Sequence, residues 1–315
     1  MRDIDRKRRG AAIVIPSGFA QSAPAPQTGP VLVVGSRGNI GTALLARLDS
    51  DDIGQKPIAL DTRSGAMVIR TIRSLTATLR SPQWLTVVIA IGQTDPRANR
   101  QTLDDANVRL PGEIIEPFLD TTAPCVRFLT LGSALEALNS LARANPYLAS
   151  KCKLSDWMST NTGAGGDKSG QLLHLRLHTV YGGQTRPHMF LGQMAQALRE
   201  HTTFRMSSGE QLREFHAVET VANSLATLLR CQWTFGPIAT LSHGRPLTLR
   251  ELAEAVFEHF ACPELLQTGA LQRSEHENLQ QTFEPAPRWV LGPAADRQIG
   301  PIQAWLRLLV DSQRR

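Results

Sequence analysis

The stretch that decides the fold is residues 31–48, VLVVGSRGNIGTALLARL, in which three glycines stand between an apolar run and a helical pattern. The run VLVV predicts a buried strand, and the apolar residues after the turn recur at helical spacing. Gly35 suits a tight turn, Gly38 lets the backbone approach a phosphate, and Gly41 allows close packing of the helix. Free N–H groups at the helix start attract an anion. The stretch therefore predicts a phosphate-binding turn, with a purely structural turn as the alternative.

An acidic residue stands where a dinucleotide-binding unit needs one. Asp61 follows the apolar run PIAL and lies 20 positions beyond Gly41, where a carboxylate can bind an adenosine ribose. This carboxylate would repel the 2′-phosphate of NADP and therefore favours NAD. Arg37 and Arg63 could neutralise that phosphate, so NADP remains an alternative. The candidate cofactor-binding residues of this region are Gly35, Arg37, Gly38, Asn39, Ile40, Gly41, Asp61 and Arg63.

The chain beyond this unit continues to alternate apolar strands with amphipathic helices. The strand-like runs include PIALD, LTVVIAIG, VRFLTLGS and LLHLRL. Nearly continuous runs of Val, Ile and Leu are typical of strands buried on both faces, which predicts a Rossmann-type α/β fold with a doubly wound parallel sheet. We expect the core to span residues 29–182, joined by about 213–243. The irregular stretches 183–212 and 244–315 are expected to form a smaller substrate-binding lobe.

The composition excludes several classes of protein. The chain of 315 residues is 42% hydrophobic and 20% charged, which is typical of a folded globular protein. No apolar run approaches the roughly 18 residues that cross a bilayer, so we expect no membrane association. Four cysteines without a C-x-x-C pair indicate reduced thiols in the cytoplasm. Eight histidines without a metal-binding spacing predict no metal site.

The basic charge is concentrated at the N-terminus. The first ten residues, MRDIDRKRRG, carry five basic and two acidic groups and so have a net charge of +3. This is half of the formal net charge of +6 of the whole chain. The body of the protein is therefore only mildly basic, and we expect no nucleic-acid partner. Pro16 and Gly18 interrupt the short apolar stretch that follows, which argues against a secretory signal. We expect residues 1–28 to be a flexible leader.

Residues 145–151, NPYLASK, contain one of only two tyrosines and one of only five lysines. On a helix, positions i and i+4 share a face, so Tyr147 and Lys151 can point into one cleft. An ammonium group next to a phenol, helped by the positive nicotinamide ring of an oxidised cofactor, stabilises the phenolate. We therefore expect the pKa of Tyr147 to fall by about three units from its ordinary value near 10. Such a pair suits proton transfer, and an incidental solvated helix face is the alternative.

These motifs, taken in order, resemble the extended short-chain dehydrogenase/reductase family, which includes nucleotide-sugar epimerases, dehydratases and ketoreductases. The glycine spacing G-x-x-G-x-x-G and the segment YLASK carry the resemblance, together with DDANVRLPGEII, VRFLTLGSA, LRLHTVYGG and REFHAVETVANSLATLL. The agreement covers residues 31–256 of the chain. The segment RLHTVYG is most similar to the R-L-x-T-V-Y-G of nucleotide-sugar 4-ketoreductases.

The resemblance implies a role for each matching residue. Ser133, Tyr147 and Lys151 are the expected catalytic residues, with Tyr147 giving a proton to a carbonyl oxygen as hydride leaves the cofactor. Tyr147 and Lys151 are also expected to contact the cofactor. The remaining expected contacts are Gly92 and Asn107 for the cofactor, and Thr179 and Arg213 for the substrate. The guanidinium of Arg213 suits the pyrophosphate of a nucleotide sugar.

Two departures from the family pattern bear on the reaction. Only 14 positions separate Ser133 from Tyr147, so the loop between them is shorter than is usual in the family. Ala134 and Leu135 stand where sugar 4,6-dehydratases have an acid pair, so dehydration is not expected. The leading hypothesis is NAD(P)-dependent 4-keto reduction of a nucleotide-linked sugar by a homodimer. The alternatives are an epimerase that retains NAD and a non-catalytic NAD(P)-binding module.

Overall fold

The fold comes from a computed structural model of the chain. It describes residues 14–23, 29–50, 56–80, 83–95, 97–119, 126–138, 140–162, 170–184, 186–272, 282–292 and 299–312.

The strands of this part of the chain are numbered in chain order. They are β1 (Val14–Ile15), β2 (Val31–Val34), β3 (Ile58–Leu60), β4 (Leu85–Ile89), β5 (Val126–Ser133), β6 (Leu172–Leu177), β7 (Thr179–Tyr181), β8 (Phe204–Arg205), β9 (Leu212–Arg213), β10 (Phe215–Ala217), β11 (Ile238–Leu241), β12 (Leu247–Thr248), β13 (Leu266–Gln267) and β14 (Thr282–Phe283).

The α-helices are numbered in the same way. They are α1 (Asn39–Asp49), α2 (Gly65–Thr76), α3 (Arg100–Asp104), α4 (Leu110–Ile115), α5 (Ser140–Ala144), α6 (Pro146–Asn161), α7 (Phe190–Glu200), α8 (Val218–Leu229), α9 (Leu249–His259), α10 (Arg288–Leu291) and α11 (Ile299–Ser312). A π-helical turn (Asp105–Arg109) joins α3 to α4, and 3₁₀ turns follow α4 (Glu116–Phe118), β5 (Ala134–Leu138) and α9 (Pro263–Leu265).

A six-stranded sheet in the order β11-β6-β5-β4-β2-β3 forms the core. Its neighbouring strands are all parallel, with Val33 opposite Val88 and Val88 opposite Leu129. The chain adds β3 on one side of β2 and β4 on the other, so the direction of winding reverses there. The predicted doubly wound, Rossmann-type sheet is confirmed. In such sheets, ligands bind beyond the carboxyl ends of the strands at this reversal.

Apolar side chains fill both faces of the sheet, as continuous Val and Leu strands require. Helices α1, α8 and α10 cover one face, with Leu44, Leu225 and Val290 buried in the same cluster as Val33. Helices α2, α4 and α6 cover the other face. The helices in the described residues lack the combined length and apolarity of a membrane span.

The smaller lobe has an apolar cluster of its own. Helices α7, α9 and α11 supply most of its buried side chains, including Met194, Phe257 and Leu306. The expected lobe boundary is wrong in one place, because α10 and the residue Ala286 pack in the core cluster with α8. Their apolar side chains bury against the sheet layer although the chain on either side of them is irregular.

The N-terminal segment contradicts the expectation of a flexible leader for residues 14–23. Strand β1 pairs with β14, and the carbonyl oxygen of Ser17 accepts a hydrogen bond of 2.7 Å from Thr240 N on the edge strand β11. Phe19 is buried against Phe235 and Trp289. The segment is ordered because it covers a sheet edge and buries an aromatic ring. The rest of the expected leader, residues 1–13 and 24–28, lies outside the described part.

Candidate active site

A cleft with a volume of about 470 Å³ opens at the carboxyl ends of the central strands. This size is in the range of ligand-binding sites. Of the residues predicted from sequence, the cleft lining includes Gly38, Asn39, Ile40, Gly92, Ser133, Tyr147, Lys151, Thr179 and Arg213. Its lining does not include Gly35, Arg37, Gly41, Asp61, Arg63 or Asn107. The structure therefore brings the three predicted catalytic residues together with the start of α1.

The three positions of the β2–α1 turn that hold glycine differ in how strongly the backbone requires it. Gly35 has a φ of +86°, and a Cβ on Gly41 would lie 2.3 Å from the carbonyl oxygen of Gly35. Both are therefore required by the fold itself. A Cβ on Gly38 would meet Gly35 O at 3.3 Å and Ala90 O at 3.8 Å, a milder contact. Gly38 is the N-cap of α1 and lines the cleft, so this turn fits a pyrophosphate on the helix start.

Asp61 follows β3, as the sequence predicts, and is paired with a cation from the glycine turn. Arg37 Nε lies 3.0 Å from Asp61 Oδ2, and both side chains are exposed. An exposed ion pair contributes little free energy, so a ribose hydroxyl can compete with Arg37 for this carboxylate. Arg63 is exposed nearby in sequence. The predicted ribose acid therefore lies outside the cleft lining, at the edge of the sheet.

Two asparagines predicted as cofactor contacts form hydrogen bonds with the protein backbone. The amide of Asn39 donates to Gly182 O (3.1 Å), and its oxygen accepts from Gln184 N (2.9 Å), which ties the loop after β7 to the glycine turn. Asn107 is buried in the π-helical turn and bonds to Gln93 N (2.9 Å) and Gln93 O (3.0 Å). Its amide also donates to Ser150 Oγ on α6 at 2.9 Å. Asn107 therefore fixes the loop after β4 against the helix that carries Tyr147 and Lys151.

Tyr147 and Lys151 lie in the first two turns of α6 and both line the cleft. The helix begins at the predicted place because Asn145 Oδ1 caps Leu148 N at 3.1 Å and Pro146 follows. Lys151 is buried, and its Nζ donates to Leu131 O at 2.9 Å. The shared face expected from the i, i+4 spacing is therefore present.

The protein's own groups shift the pKa of Tyr147 in the direction opposite to the expected one. Burial and, to a smaller extent, the negative charge of Glu136 raise this pKa to about 12, against the opposing effect of Arg186. Burial also lowers the pKa of Lys151, although Glu136 partly offsets this. The sequence argument counted the ammonium beside the phenol but not the loss of water around both groups. At neutral pH the phenol keeps its proton.

Ser133 ends strand β5, where the sequence places it, and its hydroxyl lines the cleft. Its Oγ accepts a hydrogen bond from Leu135 N at 3.3 Å. Its backbone N–H donates to Glu136 Oε1 at 2.5 Å. The shortened loop after Ser133 therefore folds back as a 3₁₀ turn that brings Glu136 under the serine.

Glu136 is a buried residue that the sequence argument missed. Its Oε2 contacts His174 Nε2 at 3.0 Å and Arg176 Nε at 3.3 Å, and the other ring nitrogen of His174 lies 2.7 Å from Thr130 Oγ1. Burial raises the pKa of Glu136, but His174, the N–H of Ser133 and Arg176 outweigh it and leave the pKa lowered. A stable carboxylate therefore sits directly beneath Ser133. Its proximity to Ser133 in sequence was the available signal.

Thr179 and Arg213 line the cleft on the side of the lobe. Thr179 N donates to Glu214 O at 3.1 Å, which fixes β7 beside β10, and Arg213 Nη1 donates to Leu212 O at 2.7 Å. Arg186, which the sequence argument also missed, lines the same side and donates to Thr94 Oγ1. Two guanidinium groups therefore face the part of the cleft where the substrate is expected.

Comparison with known families decides the classification. Residues 31–233, more than half of the chain, match the NAD dependent epimerase/dehydratase family. The chain belongs to this family. Its members are NAD-dependent enzymes, so the cofactor expected from the glycine turn is NAD. No curated protein sequence matches the chain.

Solved structures with the same fold share little sequence with this chain. MoeE5 in complex with UDP-glucose and NAD is 18% identical, with a TM-score of 0.68 over 91% of this chain and 99% of that one. The UDP-glucuronic acid 4-epimerase from Bacillus cereus, in complex with UDP-glucuronic acid and NAD, is 15% identical, with a TM-score of 0.66 over 91% and 100%. RMD from Pseudomonas aeruginosa, complexed with NADPH, is 16% identical, with a TM-score of 0.69 over 91% and 100%. At these identities the likeness establishes the fold.

Proposed function

We propose that the protein is an NAD(P)-dependent oxidoreductase that reduces the C4 carbonyl of a nucleotide-linked deoxysugar. The observation that carries this proposal is the cleft in which Tyr147, Lys151 and Ser133 meet the open start of α1. The protein's own groups raise the pKa of Tyr147 to about 12, which supports its role as the proton donor of a reduction, because a donor must begin the reaction protonated.

Each of the three residues acts on the oxygen of the substrate carbonyl. NADH or NADPH, when bound, supplies the hydride to the carbonyl carbon. Tyr147 gives its proton to the oxygen, and Ser133 holds the same oxygen by a hydrogen bond. Lys151, fixed by its bond to Leu131 O, stabilises the phenolate that remains after the proton has left. Water from the bulk reprotonates the phenolate after product release.

The lobe side of the cleft supplies the contacts for the nucleotide. Arg213 and Arg186 line it together with Thr179, and guanidinium groups bind diphosphate oxygens in pairs. Ala134 and Leu135 are apolar and follow Ser133 directly, so the acid pair that elimination of water requires is not at this position. We propose a nucleoside diphosphate sugar as the substrate, with a homodimer in the cytoplasm as the working form.

The cofactor site is tested with Gly38→Val. The added methyl groups enter the space before α1, and the new Cβ lies 3.3 Å from the carbonyl oxygen of Gly35, so the melting temperature of the variant is measured alongside binding to show that the fold is kept. We expect the Kd for NADH and NADPH, measured by calorimetry, to rise at least about 100-fold, which corresponds to roughly 2.7 kcal/mol. The matched control is Gly112→Ala, since a Cβ there meets no described atom within 4 Å. Unchanged affinity in Gly38→Val contradicts this site.

The state of the purified protein separates the candidate reactions. A reductase exchanges its cofactor in every turnover, so native mass spectrometry is expected to find little retained NAD, and activity is expected to require added NADH or NADPH. Retained NAD and turnover without added cofactor would instead identify an epimerase. Cofactor binding without turnover of any nucleotide-linked sugar would identify a non-catalytic module.

A further inference from the structure

A second group of ionisable side chains lies beside the cleft, on the side of the lobe. Glu214 lies between β9 and β10, His216 is in β10, and His243 follows β11. All three are buried, and one possible ligand atom from each lies within 4.8 Å of the others. His178, which precedes β7 and lines the cleft, joins them because its Nε2 lies 3.8 Å from Glu214 Oε2. Segments far apart in sequence thus bring three imidazoles to one carboxylate.

The distances in this group are long for hydrogen bonds. Glu214 Oε2 lies 3.4 Å from His216 Nε2 and 3.4 Å from His243 Nδ1. Charge-assisted N–H···O bonds are about 2.7–2.9 Å long. In a tetrahedral zinc site with bonds of about 2.0–2.2 Å, neighbouring ligand atoms are about 3.3–3.6 Å apart. The separations of Glu214 from His216 and His243 therefore match two edges of a coordination tetrahedron, and the ligand atoms of the three residues all lie within 4.8 Å of one another.

Three ring nitrogens in this group have no hydrogen-bond partner among the described residues. They are His178 Nε2, His216 Nδ1 and His243 Nε2. In His178 this is the nitrogen that faces Glu214, whereas in His216 and His243 the other ring nitrogen lies 3.4 Å from the carboxylate. The three side chains are each at least nine-tenths buried, where an unpaired polar atom is costly. His243 Nδ1 accepts a hydrogen bond of 3.1 Å from Arg245 N. His243 can therefore coordinate through Nδ1, with loss of that bond, or through the unpartnered Nε2.

The group contains the donor types that bind transition metals, namely imidazole nitrogens and a carboxylate oxygen. Ser242 Oγ donates to Glu214 Oε1 at 2.8 Å and His243 N donates to Oε2 at 2.8 Å, which fixes the carboxylate.

We propose that Glu214, His216 and His243 bind one divalent transition-metal cation of the zinc class, with His178 as the fourth ligand. Imidazole and carboxylate donors suit Zn²⁺, whereas Ca²⁺ and Mg²⁺ prefer oxygen alone. The cation joins β7, β10 and the segment after β11, and Glu214 follows Arg213 directly. It therefore stabilises the wall of the cleft that carries Thr179 and Arg213. This proposal reverses the expectation of no metal drawn from histidine spacing.

The test uses the full chain, stripped with EDTA and dialysed against Zn²⁺ alone or Co²⁺ alone. We expect about one metal ion per chain by plasma mass spectrometry and a rise in melting temperature of several degrees. His216→Asn is expected to reduce bound metal at least about tenfold and to remove the rise. The matched control is His201→Asn, because His201 is exposed at the end of α7 with a φ of 51°, which asparagine tolerates.

Two results overturn the metal site. One is a wild-type chain that retains far less than one ion, and the other is His216→Asn that binds as much as wild type. If His216→Asn does not fold, the visible absorption of wild-type protein with Co²⁺ decides. Intense bands of a tetrahedral Co²⁺ complex support the proposal, and the weak bands of octahedral, surface-bound Co²⁺ contradict it. Neither readout requires catalytic activity, so failure of this site is distinguishable from failure of the proposed reaction.

Discussion

Glu136 and Glu214 are both buried carboxylates that contact histidine rings, but their surroundings differ. Glu136 accepts a bond of 2.5 Å from Ser133 N and lies 3.0 Å from His174 Nε2 and 3.3 Å from Arg176 Nε. A permanent cation and a backbone N–H therefore compensate its charge. Glu214 accepts bonds of 2.8 Å from Ser242 Oγ and His243 N but meets its imidazoles only at 3.4–3.8 Å, and three ring nitrogens around it are unpartnered among the described residues.

The difference indicates different roles for the two carboxylates. A network whose members are all paired rigidifies its surroundings, and the Glu136 network holds the strand end that carries Ser133. A group with loose contacts and unpaired nitrogens is suited to receive a further partner. Phe283 lies between the surroundings of the two carboxylates. Its ring centroid is 4.8 Å from that of His178, and its side chain packs in one apolar cluster with Ala134 and Leu138. Three sets of variants test this difference between the two carboxylates, beginning with Phe283.

Phe283→Ala is expected to have the largest effect on stability. The ring is buried, and its removal leaves a cavity between the 3₁₀ turn after β5 and His178. We expect the free energy of unfolding in urea to fall by about 3–4 kcal/mol. The control is Leu308→Ala, since Leu308 is 69% exposed and its loss is expected to change stability by less than about 0.5 kcal/mol. Equal effects of the two variants would show that Phe283 does not join the two regions.

Glu136→Gln is expected to have the next largest effect. The amide can still accept from Ser133 N, but Arg176 and His174 lose their anion, so we expect a loss of about 2–3 kcal/mol in the same urea experiment. Glu214→Gln in metal-free protein keeps an oxygen acceptor for Ser242 Oγ or His243 N and loses only long contacts to imidazoles, so it is expected to cost about 1 kcal/mol. Equal losses in the two variants would contradict the division between a completed network and an open donor set.

The smallest effect concerns pH. The charge of Glu136 raises the pKa of Tyr147, so Glu136→Gln lowers that pKa. Reduction needs the protonated phenol, and activity is lost as pH rises through its pKa. The alkaline limb of the pH–rate profile is therefore expected to move to lower pH by roughly half a unit. Glu113→Gln, which removes an exposed carboxylate paired with Arg109, is expected to leave the limb in place. A shift to higher pH contradicts the assignment.

Local patterns predicted the fold and one side of the site. The order of strand, glycine turn and helix at residues 31–48 is encoded in neighbouring residues, and so are the N-cap of α6 and the shared face of Tyr147 and Lys151. The family resemblance added Ser133, Thr179 and Arg213, which the fold brings to the same cleft. The sequence predicted Asn39 next to the glycine turn and Asn107 near the loop after β4. It could not reveal that their side-chain amides form hydrogen bonds with the backbone.

Contacts between distant segments could not be predicted. Ser17 N lies near Glu284 Oε2, 267 positions away, so the ordered part of the supposed leader depends on a partner that periodicity does not reveal. The histidines around Glu214 come from three separate segments and show no motif spacing. The pKa of Tyr147 is raised by burial and by the charge of Glu136, and neither follows from the spacing of Tyr147 and Lys151. These features arise from tertiary packing alone.

The most direct test of the proposed function is the rate of NADH or NADPH oxidation with a panel of nucleotide-linked 4-keto-6-deoxysugars. Wild type is expected to turn over at least one of them. Tyr147→Phe removes only the hydroxyl and is expected to lower kcat by a factor of roughly 100 or more, with cofactor affinity nearly unchanged. Lys151→Met is expected to lower both kcat and cofactor affinity. The double variant is expected to have a kcat only slightly below that of the slower single variant. Full hydride transfer in Tyr147→Phe would contradict the account.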